Sequence, residues 1–155
     1  MGERLYVGID LGTYQSTIAS SAGSMETIET VVGRPKDPIA RNMLKRDVLF
    51  GNEALQNKMS CNLYRPMAAG VAQDDEANLA AAKAFVTHLI ESVGPEEYDE
   101  VFGVICSPSH VSFTDKSNLV ATLRGQVNAI MVVTEPFATA YGIGEYNGTI
   151  CVDIG

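Results

Sequence analysis

Apolar and polar positions change period several times along the chain, and each change marks an element. Leu5–Ile9 and Thr17–Ser20 are short apolar runs either side of Asp10, Gly12 and Thr13, a pattern that predicts a β-hairpin with a polar turn. Ser21-Ala22-Gly23-Ser24 marks a second turn, and the β-branched run Thr27–Val32 predicts a third strand. Gly33–Met67 then loses its period. With Pro35, Pro38 and Pro66 it reads as a small irregular insertion, holding a few short strands and one helical run near Asn52–Lys58.

Helical spacing returns after Asp74-Asp75-Glu76, acids that suit a first helical turn. Ala77, Ala81, Ala84, Phe85 and Leu89 share one face, and Gly94-Pro95 closes the helix. An acidic loop from Glu96 to Glu100 leads into Val101–Ile105, an apolar run bounded by Ser107-Pro108 that predicts a buried strand. Ser112–Arg124 predicts a second helix, with Phe113, Val120 and Leu123 facing inward. Ala129–Val133 predicts another buried strand. Pro136–Tyr146 predicts a third helix that starts on proline, and Thr149–Asp153 a last strand after the Asn147-Gly148 turn. Strand–helix alternation after a meander adds parallel strands to an antiparallel trio through right-handed crossovers. The expected fold is therefore α/β, a mixed five-stranded sheet flanked by helices.

Composition narrows the function. The chain has 155 residues, about one domain, and 46% of them are hydrophobic, enough to bury a core. A net charge of −8 disfavours nucleic acid or an anionic membrane surface as a main partner. No apolar run approaches the ~20 residues that span a bilayer, so no membrane insertion is expected. The first strand begins too soon for a signal peptide. Cys61, Cys106 and Cys151 lack metal-type spacing, and their odd number argues against a disulfide framework. A reducing cytoplasm fits. The insertion carries Arg34, Lys36, Arg41, Lys45 and Arg46. A solvated surface is the favoured explanation of that cluster over contact with an acidic face of a neighbouring copy.

Candidate chemistry sits at strand ends, where ligands of such sheets bind. Gly12 lets the backbone approach a ligand, and successive turn N–H groups can form a nest for phosphate oxygens. Asp10 can hold magnesium directly or through its waters. An ordinary polar hairpin explains this stretch, taken alone, about equally well. Glu135 ends a later strand, Asp153 comes near the end of the last one, and Gly155 follows. Each acid alone reads as a cap or loop residue; together the three could meet around one phosphate–metal site.

Ile9-Asp10-Leu11-Gly12-Thr13, Thr134-Glu135-Pro136 and Val152-Asp153-Ile154-Gly155 resemble the first phosphate loop, the connecting segment and the start of the second phosphate loop of the actin-like ATPases. Within that superfamily the chain is most similar to the bacterial filament formers. Arg65-Pro66-Met67 with Gly70-Val71 resembles MreB, and Gly51-Asn52-Glu53-Ala54 resembles the family's Gly-Asp-Glu-Ala segment. Val31–Asp37 and Glu135-Pro136-Phe137 with Tyr141-Gly142 resemble MamK, the filament protein that aligns magnetosomes.

The resemblance implies a ribonuclease-H-like domain I over residues 1–146, with a small inserted subdomain at about 33–71 and a linking helix at about 136–146. Residues 147–155 would begin a second domain whose remainder, with the other wall of the cleft, lies outside this sequence. Their strand would be an orphan there. It further implies ATP and Mg²⁺ as ligands. Asp10 would hold the metal through water, and the amides of Gly12, Thr13, Tyr14 and Gln15 would cradle phosphates, with Gly155 in the second loop. Glu135 would orient the attacking water, and Asp153 would share the metal or the water. The implied partner is a filament of its own kind or of a full-length actin-like relative, and the implied location is cytoskeletal. Half a cleft cannot exclude water, so catalysis by these residues alone is expected to be weak. The alternatives are a non-enzymatic module that joins or caps filaments, and a sugar kinase or DnaK-type chaperone fragment. His88 and His110 read as packing or loop residues, the methionines as gap-fillers, and Cys106 and Cys151 as inert thiols.

Overall fold

The structure is a computed structural model that describes residues 2–68, 71–72, 75–145 and 147–152. Three antiparallel strands come first: β1 (Arg4–Leu11), β2 (Gln15–Ser20) and β3 (Met25–Glu29). The small subdomain follows, with β4 (Val32–Pro35), α1 (Pro38–Leu44), β5 (Leu49–Phe50), α2 (Gly51–Gln56) and β6 (Cys61–Tyr64). A short antiparallel pair, β7 (Met67–Ala68) and β8 (Val71–Ala72), leads to α3 (Glu76–Glu91) and a 3₁₀ turn at Pro95–Glu97. Then come β9 (Glu100–Ser107), α4 (Phe113–Leu123), β10 (Ala129–Thr134) and α5 (Glu135–Ile143).

The main sheet has the order β10-β9-β1-β2-β3. The hairpin pairs are antiparallel, and β9 joins both β1 and β10 in parallel. This is the mixed five-stranded sheet expected from the alternation of elements. In β1 the side chains alternate strictly between exposed and buried. Leu5, Val7, Ile9 and Leu11 face the helices with Ile18, Val101 and Ile105, and α3 closes over them with Ala81, Ala82, Phe85, Val86, Leu89 and Ile90. Leu119 and Leu123 of α4 complete the cluster. Asp75 starts α3 by accepting from the Asn78 N–H at 3.0 Å. Ser112 and Asp115 form a reciprocal capping box at the start of α4.

The opposite face of the sheet is more open. Arg4, Tyr6 and Asp10 of β1 lie there, and Tyr6 stacks on Phe102 of β9 with ring centroids 5.5 Å apart. The Arg4 guanidinium caps that ring and pairs with Glu100 at 2.8 Å.

Several expectations need correction. The run Thr27–Val32 is not one strand: β3 stops at Glu29, and β4 begins at Val32 in another sheet. Val31 and Val32 are both buried, in different clusters, which period-two alternation does not allow in one strand. Phe113 is exposed, not inward, because a side chain at the first helical position points back past the helix end. Ala77, in the first turn of α3, is exposed for the same reason. Ala129–Thr134 forms an edge strand that is only partly buried, with Met131 exposed. α3 is capped at Ser92, while Gly94 takes a left-handed conformation and starts the 3₁₀ turn. The third helix starts at Glu135, with Pro136 second, and stops at the left-handed cap Gly144. Residues Thr149–Val152 form no strand, and Ile150 and Val152 are exposed. Asp74, Gly70 and Tyr146 lie outside the described residues.

The insertion is more regular than its sequence suggests. Its strands form a sheet of order β5-β4-β6 over Val31, Leu49, Ala54 and Cys61. Helix α1 is an element that periodicity misses. It is announced instead by Asp37-Pro38: Asp37 accepts from the Ala40 N–H at 2.8 Å, and proline takes the first helical position.

Phe85 of α3 is the largest of the fully buried side chains among the described residues. Phe85→Ala is expected to lower unfolding free energy by about 3–5 kcal/mol in urea titration. The exposed Phe113→Ala is expected to change it by less than about 0.5 kcal/mol.

Candidate functional site at the carboxyl ends of the strands

Parallel pairing brings the strand ends together. Ile9 of β1 pairs with Ile105 of β9, so Asp10 and Cys106 occupy the next rung. Val133 of β10 pairs with Cys106, and Thr134 with Ser107. Glu135 follows Thr134 directly as the first residue of α5. Asp10 and Cys106 both lie on the open face, since each is flanked by buried neighbours that point into the core.

Electrostatics reports the same proximity. The Cys106 thiol is pushed up to about 11, first by burial and then by the negative charges of Asp10 and Glu135. A like charge disfavours the thiolate, and both carboxylates lie within electrostatic reach of the sulfur. Acids separated by more than a hundred residues in the chain thus converge at one end of the sheet. Cys106 reads from the sequence as an inert thiol, with nothing there to place it beside these acids. It obeys the same strand-end rule, immediately before Ser107-Pro108, that singled out Glu135.

The hairpin turn, Gly12-Thr13-Tyr14, joins β1 to β2 beside Asp10. A Cβ on Gly12 would collide with the Gln15 carbonyl oxygen, so only glycine allows this tight turn. Tyr14 is exposed, and its carbonyl accepts from the Thr30 N–H at 2.8 Å. Asp153 and Gly155, the remaining expected site residues, lie outside the described residues. Among the described residues no three His, Cys, Asp or Glu side chains are grouped to hold a metal ion directly.

The basic cluster of the insertion is largely satisfied within the subdomain. Arg41 pairs with Asp47, Arg46 with Glu53 at 3.0 Å, and the Lys36 ammonium donates to the Met59 carbonyl at 3.1 Å. A cavity of about 510 Å³ there, lined by Arg34, Asp37, Arg41 and Asp47 among others, is separate from the strand-end acids. His88 is a packing residue: its ring stacks on Phe50 at 4.2 Å, and burial lowers its pKa. No helix among the described residues is long and apolar enough to cross a membrane.

No protein-family model matches the chain. Individual proteins do. The chain is 35% identical over 153 residues to the actin-like protein MamK of Magnetospirillum gryphiswaldense, covering 98% of this chain and 42% of that one. It is also 35% identical over 153 residues to MamK of Paramagnetospirillum magneticum, there covering 44% of the relative. Among solved structures, a MamK double helical filament superposes with a TM-score of 0.92 at 34% identity, over 98% of this chain and 47% of that chain. A non-polymerising MamK mutant bound to AMPPNP superposes with a TM-score of 0.85 at 32% identity, over 94% and 45%. MreB5 of Spiroplasma citri shares the fold, with a TM-score of 0.70 at 17% identity. The chain spans less than half the length of the curated relatives it matches. On this likeness, across nearly its whole length, the chain is a homologue of the MamK actin-like proteins and matches the N-terminal part of that molecule.

Proposed function

We propose that these residues form the phosphate-binding half of a MamK-type, filament-forming actin-like ATPase that binds Mg-ATP. The observation that carries this is the convergence of Asp10 and Glu135 on Cys106, beside a tight glycine turn. Carboxylates at one end of the sheet suit a hard divalent cation held through its waters. When bound, magnesium supplies positive charge against the phosphates. Asp10 would hold the ion through its waters, and the amides of Gly12, Thr13, Tyr14 and Gln15 would receive phosphate oxygens. Glu135 would orient the attacking water. Asp153 would share the metal or the water, and Gly155 would belong to the second phosphate loop. The AMPPNP bound to the MamK relative supports nucleotide binding.

The domain boundaries follow the same logic. Residues 1–146 are domain I, with the small subdomain at about 33–71 and α5 as the linking helix, and 147–155 begin the second domain. Helix α5 has no buried residue, as suits an element that also packs against that domain. Filament relatives support self-association, or co-polymerisation with a full-length relative, as a cytoskeletal component that organises cell contents such as magnetosomes.

Two measurements test this. The first is Mg-ATP turnover by this 155-residue polypeptide, which carries one wall of the cleft. Weak nucleotide binding that Asp10→Ala abolishes is expected, with turnover near background; turnover at the rate of full-length relatives would contradict the assignment of a single wall. The second is the rate of Cys106 alkylation against pH, read peptide by peptide in metal-free buffer. The thiolate becomes abundant only as pH nears about 11. Removing a neighbouring negative charge must lower that value, so Asp10→Asn and Glu135→Gln should each speed alkylation at pH 9. Equal rates in all three proteins would mean that the carboxylates do not face the sulfur.

A further inference from the structure

Two buried hydroxyls tie the hairpin turn to the small subdomain. Ser16 of β2 is 1% exposed, and Thr30, in the link between β3 and β4, is 0% exposed. Their oxygens lie 2.8 Å apart. Shut off from water, the two hydroxyls satisfy one another. The Thr30 N–H also donates to the carbonyl of Tyr14, the last residue of the turn. One short link thus holds the turn twice, by side chain and by backbone.

The far end of the link is held as firmly. The Gly51 N–H, at the start of α2, donates to the Val31 carbonyl at 3.0 Å. Gly51 has a φ of +56° and abuts Ile28, so a side chain there would collide with β3. Val31 itself is fully buried among the residues of the small subdomain. Residues 29–31 therefore connect the turn to the subdomain with no slack, and the Ser16–Thr30 pair sits where the two bodies meet.

We propose that Ser16 and Thr30 are positioning residues: their hydroxyl pair fixes the Gly12–Gln15 turn against the root of the small subdomain, so that occupancy of the turn and orientation of the subdomain are coupled. The coupling to a ligand rests on the phosphate-binding role given to the turn above; the fixing of the turn does not. Phosphate oxygens drawn onto the turn amides would pull on the Tyr14 carbonyl and on Ser16, and through Thr30 on Val31 and β4.

The test is ¹⁵N relaxation on the nucleotide-free chain. Thr30→Val keeps the shape and removes the hydroxyl, Ser16→Ala/Thr30→Val removes both partners, and Thr30→Ser keeps the hydroxyl. In the first two, order parameters of residues 12–15 should fall from about 0.85 to below about 0.6, while those of β9 stay rigid. Thr30→Ser should resemble the parent. The double variant should recover thermal stability relative to Thr30→Val, because no lone hydroxyl remains buried, yet its turn should stay loose. A role in stability alone would restore both. A turn that stays rigid in the double variant, or that loosens only together with β9, overturns the proposal, and the double variant decides this even if Thr30→Val fails to fold. In a second arm, Mg-AMPPNP added to the parent should shift resonances of both the turn and Val32–Pro35, and less so those of Val32–Pro35 in the double variant. Shifts confined to the turn overturn the coupling. No shift anywhere refutes the nucleotide role and with it the ligand coupling, and the relaxation result still decides whether the pair fixes the turn.

Discussion

Everything in this molecule that bears on chemistry depends on β9 lying parallel to β1 in one register. With Ile9 opposite Ile105, the alternation of the two strands is in phase. The apolar sets of both strands face α3 and α4, and the polar ends of both face the other way. A slip of one residue would turn Asp10 into the core and Leu11 onto the open face. The register is therefore enforced by hydrophobic burial far larger than any interaction among the acids, and the strand-end site inherits its geometry from the core beneath it.

The same constraint explains what was legible in the sequence. The short apolar runs Leu5–Ile9 and Val101–Ile105 gave away the central strands, and turn residues located the connections. The convergence of Asp10 with Glu135 was legible too, because strand ends in parallel sheets share one edge. Cys106 was not singled out, since a thiol at a strand end carries no chemical signature until its neighbours are known. The break at Thr30-Val31 was hidden because a β-branched run looks alike whether it stays in one sheet or crosses to another. Helix α1 was hidden because it is short and buries only Ala40, which leaves no period to detect. Phe113 misled for a geometric reason: helical spacing says which face a residue shares, not whether that face extends to the first turn.

The small subdomain is where charge and packing separate. Its arginines and lysines read from the sequence as a solvated surface more than a partner-binding patch, and Arg41, Arg46 and Lys36 find partners within the subdomain itself. Exposed pairs of this kind contribute little to stability. The subdomain is held instead by Val31, Leu49, Ala54 and Cys61, and by the link through Thr30. A region that reads as irregular in sequence is thus joined firmly to the hairpin turn, the part of the molecule given the most chemical work.

The central claim is that the hairpin turn and acids from distant segments surround one metal–phosphate position. Paramagnetic broadening by Mn-AMPPNP in the ¹⁵N-labelled chain tests it most directly, because the effect reports distance from the ion and not mere disturbance. The account predicts that the amides of Asp10, Gly12–Tyr14, Cys106 and Glu135 broaden together at the lowest manganese levels. Broadening of the hairpin without Glu135, or broadening centred on the cavity beside Arg34 and Arg41, would contradict it.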